Sequence, residues 1–277
     1  MLLALAKPLP RLLLVLALLM VLVLNEASAA PPEFNEFTVN STGDAPDADT
    51  TDDVCDTGAM VNGEPECTLR AAIEQANVTP NLLQPDLIRF DIPMTDPGCD
   101  SGSGVCVIAP TIIVSIGQPG GSSYPQFIET LLIDGYTQPG ASPNTNTPAD
   151  GGLNASIKIA IDGPDDGGSA TLENQASGFI IGPDAGGSTI RGLAIYGYFS
   201  QAAQACPSAI HINRSDGNFI RGNYFGTDVT GTSGIGNRNI VNAVCSYGGQ
   251  NNTIGGLDPA DRNLMAANFT GVNIRSS

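Results

Sequence analysis

At 277 residues and 42% hydrophobic content the chain can bury the core of one or two domains, while 33 Gly, 20 Pro and no Trp favour a turn-rich, β-dominated fold. Its 28 acidic and 11 basic residues leave a formal charge of −17, which offers phosphate backbones nothing to grip and no basic stripe to an anionic membrane surface. Nucleic acid is therefore excluded as an expected partner.

Lys7 and Arg11 precede the apolar run Leu12 to Leu24, and Ala27-Ser28-Ala29 supplies small residues where a signal peptidase reads. Residues 1–29 are expected to form a secretory signal. The run is shorter than the roughly 20 residues of a bilayer span, which leaves an uncleaved anchor as the weaker alternative, and no later segment reads as a span. Export makes disulfides the default for the six cysteines. Proximity pairs Cys55 with Cys67 and Cys99 with Cys106, and elimination pairs Cys206 with Cys245. The first two would close short loops that lack a core, each restricting the unfolded chain by about 2–3 kcal/mol.

Asp44, Asp47, Asp49, Asp52, Asp53 and Asp56 crowd one loop. Two readings stand: calcium relieves their mutual repulsion and orders the loop, or the loop is solvated and acidic. The spacing lacks the central Gly and terminal Glu of an EF-hand, and calcium is the one cofactor these residues suggest. The stretch CTLRAAIEQAN follows, with Leu69, Ala72, Ile73 and Ala76 at i, i+3, i+4 and i+7. It predicts a helix over 68–77 with Thr68 as N-cap and with Arg70, Glu74 and Gln75 off the buried face. So short a helix must pack on something larger.

From about Leu87 the chain turns to short β-branched runs separated by Gly, Asn, Asp and Pro, among them LIRFDI, VIAPTIIVSI, TLLIDG, IKIAIDG, TIRGLAIYGY and NFIRGNYFG. Only Pro259 to Ala267 offers a further helical candidate. Ser188-Thr189-Ile190-Arg191-Gly192 aligns with Asn218-Phe219-Ile220-Arg221-Gly222 and with Asn252-Thr253-Ile254-Gly255-Gly256. A second column holds Phe179-Ile180-Ile181, Ile210-His211-Ile212, Val244-Cys245-Ser246 and Val272-Asn273-Ile274. Repeats of this length predict a mostly β fold, a parallel β-helix solenoid over 87–277, rather than a propeller. Isoleucines would stack inward, Asn218 and Asn252 would align for an amide ladder or merely serve turns, and the helix of segment 30–86 would cover the first coil. The last repeat, starting at Gly271, is short, from which an incomplete C-terminal coil is expected.

FTVNSTGDAPD, DVCDT and CTLRAAIEQAN together resemble the CSLREA domain, whose helix-opening hexapeptide stands here as Cys67-Thr68-Leu69-Arg70-Ala71-Ala72. LIRFDIP, LLIDGYTQPGASPNT, STIRGLAIYGY, NFIRGNYFGTDVTGT and NNTIGG with DRNLMAAN extend the resemblance over roughly residues 36 to 277. It implies a secreted bacterial protein with a right-handed, pectin-lyase-like parallel β-helix, and no settled activity. Thr68 and Ala71 replace the family's Ser and Glu, so the reciprocal half of the capping box is missing.

Function must then be sought in sites. Arg191 and Arg221 share a column and are candidates for contacting an anionic sugar, with a solvated face as the plainer reading. Tyr196, Tyr198, Phe199, Tyr224 and Phe225 form either an exposed aromatic strip for a ligand or part of the core. His211, between Ile210 and Ile212, should point outward and be exposed. Asp184, Asp216 and Asp228 fall where turns favour Asp. The leading expectation is a secreted or cell-surface scaffold that binds polysaccharide or another extracellular protein, without catalytic residues. A polysaccharide lyase or glycoside hydrolase, and a structural module of a longer exported protein, are the alternatives.

Overall fold

The computed structural model describes residues 34–111, 121–164, 177–200 and 206–276. The expected signal segment 1–29 and the end of VIAPTIIVSI lie outside them. The described residues belong to the contact unit spanning 33–277.

The chain opens with β1 (Glu36–Val39), passes through the acidic loop and the hairpin β2 (Met60–Val61) and β3 (Glu64–Pro65), and enters α1 (Leu69–Ala76). Next come β4 (Asp86–Phe90), β5 (Cys99–Asp100), β6 (Val105–Ile108), β7 (Leu131–Asp134) and β8 (Ile159–Asp162). Then follow β9 (Phe179–Ile181), β10 (Thr189–Arg191), β11 (Leu193–Tyr196), β12 (Phe199–Ser200), β13 (Ser208–Asn213) and β14 (Phe219–Arg221). The chain continues through β15 (Tyr224–Phe225), β16 (Asn237–Tyr247), β17 (Thr253–Ile254), β18 (Leu264–Met265) and β19 (Asn268–Arg275).

These strands are mostly parallel and fall into three main sheets. The first runs β1-β4-β7-β10-β14-β17; the second runs β18-β15-β11-β8-β6, with β5 antiparallel on its edge. The third holds β9, β13, β16 and β19 in order, with β12 also on β16. From β9 onward the chain visits third, first and second sheet in rotation. Strand β1 belongs to the same sheet as β4, so the expected division at residue 86 falls inside one sheet.

Register follows the sequence columns. Phe37, Ile88, Ile133, Ile190, Ile220 and Ile254 are successive partners across the first sheet, and the first five are buried. Phe179, Ile210, Val244 and Val272 do the same in the third. The second sheet stacks Ile108, Ile161, Ile195, Phe225 and Met265. Period-two alternation turns these side chains, Val272 excepted, to one common core.

Asparagines hold the corners between sheets. Asn218 donates from Nδ2 to Asn252 Oδ1 at 2.8 Å, and its own Oδ1 accepts from the Ser188 amide. Asn237 donates to Asn268 Oδ1 at 2.8 Å, while Asn223 and Asn263 bond the backbone of neighbouring corners. A buried Asn in this role satisfies the backbone groups that the sheets release at each turn. Gly192 and Gly222, after β10 and β14, have φ of 75° and 65°, and a Cβ on either would press against Tyr136.

Thr68 caps α1 as expected, accepting from the Ala71 amide, and Asn77 ends it. The expectation of a single buried face is corrected: Arg70 and Gln75 are buried as well. Arg70 pairs with Asp44 at 2.8 Å, donates to the Ser123 carbonyl and lies over the Tyr124 ring, while Gln75 bonds Thr79. The acidic loop closes over the side of the helix that periodicity would leave in water, and Glu74 accepts from the Asp47 amide there. The opposite side packs with Phe37, Val39, Ile88 and Phe90.

Three disulfides join Cys55 to Cys67, Cys99 to Cys106 and Cys206 to Cys245. This is the pairing that proximity and elimination suggest. The helical candidate at 259–267 is only a 3₁₀ turn, Pro259–Asp261, followed by β18.

Candidate functional site

On its outward face the first sheet carries a charged column. Thr38, Arg89, Asp134, Arg191 and Arg221 are consecutive register partners on β1, β4, β7, β10 and β14. Alternation accounts for this: each is one residue past an inward Phe or Ile. Beside the column lies a cleft of about 310 Å³ that Tyr136, Pro143 and, from the 3₁₀ turn Pro259–Asp261, Ala260 and Asp261 also line.

Within the cleft the charges are paired. Arg191 Nη2 donates to Asp134 Oδ2 at 2.5 Å, and the other Asp134 oxygen accepts from the Tyr136 amide. Arg221 lies 3.6 Å from Asp261 and over the Phe219 ring. About a third of each arginine side chain stays exposed, 38% and 33%, against 7% for Asp134. Tyr136 Oη donates to the Gly222 carbonyl at 2.6 Å, and burial pushes its hydroxyl pKa well up, so it is a neutral hydrogen-bonding wall. The loop bearing Pro143 is tied to the opposite wall by Asn144 to the Pro259 carbonyl and by Arg262 to the Asn146 carbonyl. Planar donors and acceptors around an aromatic ring can bind hydroxyl and carboxylate groups.

Of the two readings of the aromatic residues, the core reading holds for Tyr196, Tyr198, Tyr224 and Phe225. Tyr196 and Tyr224 are not an exposed strip: both are buried with Ile157, Ala160 and Ala194 under the segment bearing Leu153 and Ala155. Burial raises the Tyr196 hydroxyl to about 12, and Tyr198 and Phe225 are also buried. His211 does face away from Ile210 and Ile212, yet it is 7% exposed rather than open. Burial, helped by Arg275, lowers it to about 4. Asp184 is exposed in a turn, Asp216 is exposed in the connection between β13 and β14, and Asp228 caps its turn through Thr230 and Ser233.

The carboxylates of the acidic loop are engaged locally. Asp44 is taken by Arg70 and the Thr111 amide. Asp47, Asp49, Asp52 and Asp56 each accept from the amide two residues on, and Asp53 lies exposed. Such local turns occupy the carboxylates with the loop's own backbone. Among the described residues no group of three His, Cys, Asp or Glu side chains could hold a metal ion.

Sequence reasoning missed Asp134, Tyr136 and Asp261. Asp134 could have been found from TLLIDG, which places Asp one residue after the inward Ile, as Arg follows it in the two aligned repeats. Compared with family models, with curated proteins and with solved structures, the chain matches none of them.

Proposed function

We propose that this chain is an exported, CSLREA-type parallel β-helix that acts as a scaffold and binds polysaccharide on the outward face of its first sheet. The three parallel sheets visited in rotation support the solenoid reading, since each circuit adds one strand to each wall. Three disulfides, and the lack of any described helix long and apolar enough to cross a membrane, are compatible with an extracellular location. The observation that carries the binding role is the Arg89-Asp134-Arg191-Arg221 column at strand spacing, beside Tyr136: a repeated polymer meets a repeated surface. Asp134 is held by Arg191 and by the Tyr136 amide, which suits it to positioning rather than proton transfer.

A glycan array probed with the full chain, followed by calorimetric titration of the glycans it selects, tests this reading. Arg221→Ala and Arg191→Gln are each expected to weaken binding about tenfold or more, the worth of a hydrogen bond to a charged group. Binding to no glycan, or binding that both variants leave intact, would overturn it.

A further inference from the structure

A second cleft, of about 600 Å³, runs along β1 at the other end of the sheet. Strand β1 has β4 on one side and, among the described residues, no strand on the other. The Asn35 and Val39 carbonyls accept from Leu87 and Asp91. In a parallel strand alternate residues direct their backbone groups to opposite sides, so Glu36, Thr38 and Asn40 face away from β4. The Asn40 amide does so, donating to the Cys67 carbonyl at 3.0 Å. That bond begins a ladder which the Thr38 amide and carbonyl and the Glu36 carbonyl would continue, and they border the cleft.

The far wall selects the occupant. It comprises Asp53 and Val54 with hairpin residues including Val61 and Glu64, and the β4 side of the same cleft adds Asp91 with Pro93. Asp53, Glu64 and Asp91 are exposed, no Lys or Arg lines the cleft, and Val54 is 45% exposed. Glu36 already pairs with Arg89. Free strand edge, apolar spots and unbalanced carboxylates together suit an extended segment whose side chains alternate.

We propose that this cleft docks a short extended segment of a partner protein, alternating basic and apolar residues, as an added strand on β1. The proposal is independent of polysaccharide binding at the Arg191 cleft.

The probe is a fluorescent peptide of alternating Lys and Val, titrated against the full chain by anisotropy. Its controls are the same peptide N-methylated at alternate amides and one of alternating Glu and Val. The Lys/Val peptide is expected to bind saturably and both controls to fail. Glu64→Lys with Asp91→Lys should weaken binding about tenfold or more, and Thr38→Pro, which removes one edge donor, should weaken it with unchanged circular dichroism. If Thr38→Pro does not fold, the charge-reversed variant and the N-methylated peptide still decide. No binding of the Lys/Val peptide overturns the proposal. So does equal binding of its N-methylated form, which would be mere attraction to a chain of charge −17. A dimer that Thr38→Pro dissociates would overturn it in favour of a second copy of the chain.

Discussion

At the scale of single residues, His211 shows how a covered face changes the chemistry of a side chain. Its strand partners are Ile180 and Cys245, and Cys245 is bonded to Cys206. With Nε2 buried and unpartnered, protonation is disfavoured, and the imidazole sits at about 4 against an ordinary 6.5. Between those values the unfolded chain binds a proton that the folded chain does not. Stability is therefore full above about pH 6.5, falls as the pH drops towards 4, and loses about 3 kcal/mol at most from this group. Urea titrations from pH 7 to pH 4 check this: His211→Gln should lose less stability over that window than the wild type, by an amount approaching that figure. Parallel pH dependence in the two proteins would show that the imidazole is not held neutral.

At the scale of elements, α1 joins the acidic loop to the sheets. Periodicity marks Leu69, Ala72, Ile73 and Ala76 as buried, and they are. Arg70 is buried because Asp44, the Ser123 carbonyl and the Tyr124 ring surround it, three contacts from two separate segments. An ion pair this deep adds little net stability over a well-packed apolar pair, yet breaking it strands a buried charge. Arg70→Ala is thus expected to cost about 3–5 kcal/mol, whereas Arg70→Met with Asp44→Leu should recover most of the loss. Chemical denaturation of the single and double variants measures both. A cost below 1 kcal/mol for Arg70→Ala would mean that water reaches Asp44.

At the scale of the whole molecule, burial is uneven along the stack of strands. Strands β9, β10 and β11 are buried almost throughout, while β19 exposes Phe269 at 63% and Ile274 at 78%. Local opening is cheapest where few apolar contacts are lost. Native-state hydrogen exchange should therefore find amides of Phe179–Tyr196 protected well beyond those of Thr253–Arg275. Equal protection in the two stretches would show that the molecule opens only as one unit. Register partners in the first sheet lie tens of residues apart, as Ile133 and Ile190 do, and such non-local pairing is expected to make folding slow.

The sequence by itself determined the strand register at two walls, the helix with its Thr68 cap, and the cysteine partners. These depend on local pattern: an inward Ile recurring with its flanking residues, an i, i+3, i+4, i+7 stripe, and short loops that bring cysteines together. The second sheet was harder to read, because β15 and β18 are two residues long and too short to show alternation. A run of Asn at five-residue steps, Asn218 and Asn223, Asn237 and Asn242, Asn263, Asn268 and Asn273, follows the strands and their corners as a further periodic signal. Only the tertiary structure decided which outward residues meet water. Tyr196 and Tyr224 lie under a segment some tens of residues away, and His211 is closed over. Arg191 and Arg221 stay partly exposed, beside a buried Asp134, in a cleft whose walls come from Tyr136 and Asp261. Strand alternation says on which side of a sheet a side chain stands, but coverage of that side depends on where remote loops pack, and no local pattern encodes it.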